Sequence, residues 1–170
     1  MNSTLRIHPL LKNEIPTTIE LFAATVYDGN YAEARTHFDE SVNGPSDTFL
    51  AYVEGDLAGF VTIRWESHNE QFKREGIPFI HHLLVFGDYQ GQGIANALLD
   101  AAEQLIGTRA SQAGICVGIF DAYGPAQRLY AKRGYIPDGR GVCQWHRPIK
   151  AGEELTVDHD LIIWMIKALK

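Results

Sequence analysis

An apolar run, Phe79 to Phe86, enters the turn Gly87-Asp88-Tyr89-Gln90-Gly91-Gln92-Gly93 and leaves it as an amphipathic segment, Ile94 to Ile106. No other stretch narrows the possible folds as much. Glycines allow a backbone to approach a ligand closely, and a helix start presents unpaired N–H donors with partial positive charge. A strand feeding a helix through such a turn is suited to holding phosphate or pyrophosphate. Two familiar phosphate motifs do not fit. A dinucleotide fingerprint needs a third Gly or Ala where Asn96 stands, and it belongs to an early βαβ unit. A P-loop needs Gly-Lys-Ser/Thr, which is absent. An ordinary glycine-rich connection stays open on this segment alone.

A second segment, Tyr123-Gly124-Pro125-Ala126-Gln127-Arg128-Leu129-Tyr130-Ala131-Lys132-Arg133-Gly134-Tyr135, lies downstream. Pro125 suits a first helical turn, and Gly134 suits the left-handed position that ends a helix. Ala126, Leu129, Tyr130 and Arg133 share one face. Gln90-x-x-Gly93-x-Ala95 after a strand, followed by this Ala, Leu-Tyr and Gly-Tyr pattern, resembles the two signatures of the GNAT superfamily of N-acetyltransferases. Tyr123 departs from the pattern, which often places Asn there to contact the pantetheine or pyrophosphate.

The chain has 170 residues, 45% hydrophobic and 21% charged, as expected of one globular domain spanning residues 1–170. Met1 to Pro9 lacks a signal-peptide core, and no stretch has the length of a membrane span. Cys116 and Cys143 are too few for a disulfide framework, so a reduced cytoplasmic setting is expected. A net charge of −6 argues against nucleic acid and suits a cationic partner or simple solubility.

Hydrophobic periodicity predicts a strand at Leu5–Ile7 and a helix at Glu14–Tyr27 carrying Ile15, Ile19, Phe22 and Val26 on one face. A second helix follows over Tyr31–Val42. Strands at Phe49–Val53 and Leu57–Trp65 flank a hairpin signal, Glu54-Gly55-Asp56. Ser67 to Gly76 reads as a polar loop. Then come the strand Phe79–Phe86, the helix from Ile94, a strand at Ile115–Phe120, the helix Ala126–Arg133, and strands at Val142–His146 and Leu161–Ile166. The order, β-α-α-β-β-β-α-β-α-β-β, is similar to that of the GNAT acyl-CoA N-acyltransferase fold. That resemblance implies an α/β (α+β) architecture: a central mixed, mostly antiparallel sheet of six to seven strands with flanking helices. Strands 4 and 5 are expected to start side by side and splay, so that the pantetheine arm pairs with strand backbone.

The resemblance also implies an activity: acetyl transfer from acetyl-CoA, as co-substrate and without a metal, to a primary amine. The turn Gln90, Gly91, Gln92, Gly93, Ile94, Ala95 and Asn96 would take the pyrophosphate, with Tyr123, Ala126 and Tyr130 on the second motif. A backbone N–H from Leu83, Leu84 or Val85 would polarise the thioester carbonyl. Tyr130 takes the place of the acid that protonates the leaving thiolate. The central strand carries no carboxylate where relatives place a Glu near its start; Ile80-His81-His82-Leu83 stands there instead, which makes His81 the candidate base and His82 the second choice. The ordinary alternative is that one packs under a helix and the other only hydrogen-bonds to backbone. Tyr27, Asp28, Tyr31 and Trp145 are candidates for the acceptor site, where aromatic walls beside a carboxylate suit an amine. Lys132 and Arg133 would meet the CoA 3′-phosphate or complement the helix end. His146, Asp158, His159 and Asp160 match no zinc spacing and read as a solvated loop. A small-molecule amine is the expected partner of a monomer or homodimer, with neither nucleic acid nor membrane. An acyl-CoA sensor without turnover and a protein or peptide acceptor are the alternatives.

Overall fold

The computed structural model describes residues 4–26 and 29–169; Tyr27 and Asp28 lie outside the described residues. Eight strands form one sheet in the order β1-β2-β3-β4-β5-β8-β6-β7. They are β1 (Leu5–Pro9), β2 (Ser46–Val53), β3 (Asp56–Arg64), β4 (Phe79–Val85), β5 (Gln112–Gly118), β6 (Ile136–Gln144), β7 (Arg147–Pro148) and β8 (Leu161–Ala168). The helices are α1 (Ile15–Val26), α2 (Tyr31–Asn43), α3 (Glu70–Glu75), α4 (Ile94–Gly107) and α5 (Gly124–Lys132). Pairing is antiparallel for β1–β2, β2–β3, β5–β8, β6–β8 and β6–β7. β4 and β5 are parallel, and their register holds Phe79 to Gly114 and Ile80 to Ile115 and then stops. The expected side-by-side start of these two strands is thus present. The eighth strand, β7, pairs two residues with Cys143 and Gln144 and is too short to leave a sequence pattern.

The chain divides into two compact units, Met1–Trp65 with His82–Ala102 and Glu66–His81 with Glu103–Lys170. In the first, Ile15, Ile19, Phe22 and Ala23 of α1 meet Ala34 and Phe38 of α2, Leu50 of β2 and Phe60 of β3. Leu84 and Phe86 pack against that cluster. Phe22 sits edge-on to Phe38 and Phe60, with centroids 4.8 and 4.4 Å apart. Such contacts add about 0.5–1.5 kcal/mol beyond area burial. Asn30 begins α2 by accepting the Glu33 amide at 3.2 Å. β2 begins at Ser46, three residues earlier than expected, because Thr48 and Thr62 pair their hydroxyls across the ladder at 2.7 Å. Buried polar residues in hydrogen-bonded pairs do not show as an alternating pattern.

In the second unit, the expected polar loop contains the short helix α3. Asn69 accepts amides from Gln71 and Phe72 at 3.0 and 3.3 Å, and Gly76 closes the helix. Its single buried side chain, Phe72, anchors it beside Ile77, Phe79, Cys143, Ile162 and Trp164. One apolar residue in six gives periodicity nothing to detect. β6 starts six residues before the expected Val142, with its register shifted between Pro137 and Val142. Pro137, Gly139 and Gly141 there read as a break in sequence, whereas in the structure they form an irregular strand. The ends of the other elements differ from expectation by a few residues, as helix and strand ends commonly do. Among the described residues, no helix is long and apolar enough to cross a membrane.

Candidate active site

β4 ends at Val85, and the chain turns through Gly91 and Gly93, at φ 76° and 83°, into α4. A side chain at Gly93 would meet nothing within 4 Å, so the turn is open and its glycines are held by backbone conformation. The Gly93 carbonyl accepts the Ala97 amide at 3.2 Å, which makes Gly93 the residue before the first helical turn. Glycine at this position offers no capping side chain of its own. Gln90 folds back instead, donating to the Val85 carbonyl at 3.1 Å, and Gln92 donates to the Asp88 carbonyl at 3.1 Å. Each glutamine pins a loop segment ahead of the helix start. Ile94, buried, fixes the helix to the core, while Gln90 to Gly93 are exposed. Leu83, Leu84 and Val85 are half-buried on β4.

His82 packs into the same unit's apolar cluster. Its ring lies 5.5 Å from Phe22 and 5.0 Å from His37 of α2. His37 in turn meets the Thr62 hydroxyl at 2.9 Å, and Thr62 meets Thr48. Burial pushes both imidazoles down, His37 to about 3 and His82 to about 4. The charge of Arg64 acts on both in the same direction, and His82 acts on His37. His82 is therefore a neutral core histidine, the packing role left open for it. His37, reached only through long-range contacts, has no signal in sequence. His81 is half-buried, with its ring 5.4 Å from Phe79.

In the other unit, α5 carries the second motif. Gln127 donates to the Gly118 carbonyl at 2.7 Å and ties α5 to the end of β5. Tyr130 is 6% exposed. Burial, then the charges of Cys116 and Tyr123, push its phenol well above the ordinary range, so it carries its proton at neutral pH. Burial alone pushes the Cys116 thiol up to about 12. A sulfur anion in comparable surroundings is correspondingly a strong base. Tyr123, half-buried, precedes α5, and its hydroxyl lies 2.9 Å from His159 Nδ1. Ala126 is half-buried on the first turn.

Several expected contacts take other forms. Arg133 does not face outward: its guanidinium donates to Glu103 at 3.1 and 2.9 Å. Tyr135 donates to the same carboxylate at 3.0 Å, and Lys167 pairs with it. Burial pushes Glu103 up, but hydrogen bonds from Arg133 and Lys167 hold it below its usual range. This is a structural network. Lys132 remains exposed. Trp145, 46% exposed at φ 55°, stacks on His146, whose other neighbour is Trp164. Tyr31, at the start of α2, is 43% exposed. Asp158 and Asp160 meet each other, the Asp160 amide donating to Asp158 at 3.0 Å.

The buried imidazole pair makes stability depend on pH. Both groups bind a proton near pH 6.5 when unfolded and only near 3–4 when folded. Their contribution is therefore intact above pH 6.5 and lost as pH falls toward 4, by about 1.4 kcal/mol per pH unit for each group. Urea midpoints across this window should fall for the native chain and fall less for a His37→Gln, His82→Gln double variant. Parallel profiles would show that neither imidazole is buried in its neutral form.

A family model described as the acetyltransferase (GNAT) family matches residues 15–135. Similar folds occur in solved structures. A candidate GNAT acetyltransferase from Desulfovibrio desulfuricans has a TM-score of 0.73 at 16% identity, with 98% of this chain and 100% of that one covered. The aminoglycoside 6′-acetyltransferase type Ii gives 0.70 at 18% identity, covering 97% of each chain. The ribosomal L7/L12 alpha-N-protein acetyltransferase gives 0.65 at 13%, covering 99% of this chain and 95% of that one. At these identities the structures speak for the fold, while the family match over most of the chain speaks for descent and chemistry. The two signature segments, β4 with its turn and α5, both lie inside the matched residues. The chain belongs to the GNAT family of acetyltransferases, and it is an acyltransferase.

Proposed function

We propose that the enzyme transfers the acetyl group of acetyl-CoA to a primary amine of a small cationic molecule by direct attack in a ternary complex. The observation that carries this reading is the open turn of Gly91 and Gly93, both at positive φ, leading directly into the start of α4. Gln90, Gly91, Gln92, Gly93, Ile94, Ala95 and Asn96 would present amides to the pyrophosphate, with the helix dipole favouring negative charge. Ala126 offers little bulk and Tyr123 a hydroxyl to the pantetheine arm. A backbone amide among Leu83, Leu84 and Val85 would polarise the thioester carbonyl. The amine nitrogen attacks that carbon, the C–S bond breaks, and Tyr130 gives its proton to sulfur. His81 is the assigned acceptor of the amine proton, directly or through water.

Net charge of −6 supports a cationic acceptor. Tyr27, Asp28, Tyr31 and Trp145 are assigned to the acceptor on residue type alone, aromatic rings and a carboxylate suiting an amine; Tyr31 and Trp145 are each exposed. The fold does not choose between acceptors, since its relatives in shape include an aminoglycoside acetyltransferase and a protein acetyltransferase. The deciding experiment screens polyamines, aminoglycosides and peptides for acetyl-CoA-dependent mass gain. Small cationic amines should be modified. Modification of peptide N-termini alone would transfer the assignment to a protein acceptor. Tight acetyl-CoA binding with no acceptor modified would favour a ligand-binding role without turnover.

Two variants test the co-substrate reading. Gly93→Val forces a β-branched residue to φ 83°, with strain of about 1–3 kcal/mol, into open space. Acetyl-CoA affinity should fall by about tenfold or more while the chain stays folded. Wild-type affinity in calorimetry would move the pyrophosphate elsewhere. Tyr130→Phe removes only the phenolic donor. Thiol release in the first turnover should slow by roughly one to four orders of magnitude with acetyl-CoA affinity nearly constant. An unchanged rate would reduce Tyr130 to packing.

A further inference from the structure

Gly59 on β3 meets the end of β4 at a separation that no other residue type permits. A Cβ there would run into the Leu84 carbonyl oxygen and lie 3.1 Å from Val85 Cα. Both are backbone atoms, so no side-chain rotation relieves the clash. β3 is bulged at this point: Ala51 faces Gly59 and Tyr52 faces Leu57, which leaves Ala58 as the extra residue. The Ala58 carbonyl accepts the Phe86 amide at 2.9 Å. The Leu84 carbonyl and the Phe86 N–H are therefore both turned toward β3. A strand residue points its own N–H and C=O to one edge, and its neighbours point theirs to the other. The Leu84–Val85 peptide is trans, which directs the Val85 N–H opposite to the Leu84 oxygen. The Val85 carbonyl marks that second edge, accepting Gln90 Nε2 at 3.1 Å. These residues all lie in the first compact unit.

We infer that Gly59 is a positioning residue for the co-substrate: it sets the Leu84–Val85 peptide plane and so aims the Val85 N–H at an amide carbonyl of the pantetheine arm. This rests on the reading of the Gln90–Asn96 turn as the pyrophosphate site. An arm leaving that turn along β4 meets Val85 before Leu84 or Leu83, because Val85 ends the strand and is tied to Gln90. A methyl at Gly59 must displace the Leu84 oxygen, and the planar peptide carries the Val85 N–H with it. Gly59 acts through Val85 and lies outside both signature segments. Its role exists because the sheet brings β3 against the end of β4.

Two ligands separate the arm from the pyrophosphate: acetyl-CoA, and adenosine 3′-phosphate 5′-diphosphate, which keeps the pyrophosphate and lacks pantetheine. Calorimetry with Gly59→Ala should show acetyl-CoA bound about three- to tenfold more weakly, the worth of one hydrogen bond, and the nucleotide bound as by wild type. A merely structural role for Gly59 would weaken both ligands or neither, and either result overturns the inference. An ester in place of the Val85 amide, introduced as the α-hydroxy analogue of valine, removes the N–H and adds no bulk. It should lose the same factor, and Gly59→Ala should add little to it, since both act on one donor. Wild-type acetyl-CoA affinity in the ester chain overturns the inference even if Gly59→Ala does not fold. Gly93→Val separates the two readings. If it weakens both ligands while Gly59→Ala and the ester weaken neither, the Gly59 assignment alone falls. If it leaves both ligands at wild-type affinity, the pyrophosphate placement falls and the Gly59 assignment with it.

Discussion

The start of α4 is the constraint on which the rest of the candidate site depends. A helix leaves its first amides without intrahelical partners, and a buried or ligand-facing end needs something to accept them. Here Gly93 supplies no side chain, and Gln90 and Gln92 spend their amides on the carbonyls of Val85 and Asp88. The positive φ at Gly91 and Gly93 shapes the turn that leads into this helix start. Ile94 buries immediately afterward, so the turn cannot drift relative to the core. Glycine's conformational freedom costs about 0.5–1 kcal/mol per residue, against about 1.5–3 kcal/mol from burying one isoleucine.

Desolvation shapes the chemistry on both signature segments. It is the largest cause of the shifts at His37, His82, Cys116 and Tyr130. Its direction depends on which form is charged: imidazoles are kept neutral by being pushed down, thiols and phenols by being pushed up. A phenol that holds its proton and a sulfur that wants one are a suitable donor and acceptor, provided the phenol can be recharged. The same effect disqualifies His82 as a strong base, since a group held to about 4 seldom takes a proton at neutral pH.

Much of the architecture was legible in the sequence because it rests on local patterns. Ile15, Ile19 and Phe22 at helical spacing, Glu54-Gly55 at a hairpin, and Pro125 with Gly134 at the ends of α5 each announce their element. α3 and the first half of β6 were not legible. One rests on Asn69 and a single buried Phe72; the other is a strand whose register slips through Pro137, Gly139 and Gly141. β2 began early for a related reason, its first residues being polar and satisfied by partners across the ladder.

The sequence by itself determined the family and the two segments that carry it, because the turn into α4 and the α5 motif are contiguous and their spacing is read directly. It also ranked His81 ahead of His82 as the candidate base, while leaving a packing role open for each. Tertiary structure decided that His82 joins His37, Phe22 and Thr62 in a neutral core, since their contacts span up to 60 residues of chain. It decided that Arg133 serves Glu103, and that His159 meets Tyr123 across 36 residues. Hydrogen bonds and burial depend on what the fold brings near, and no local pattern encodes a neighbour that far along the chain.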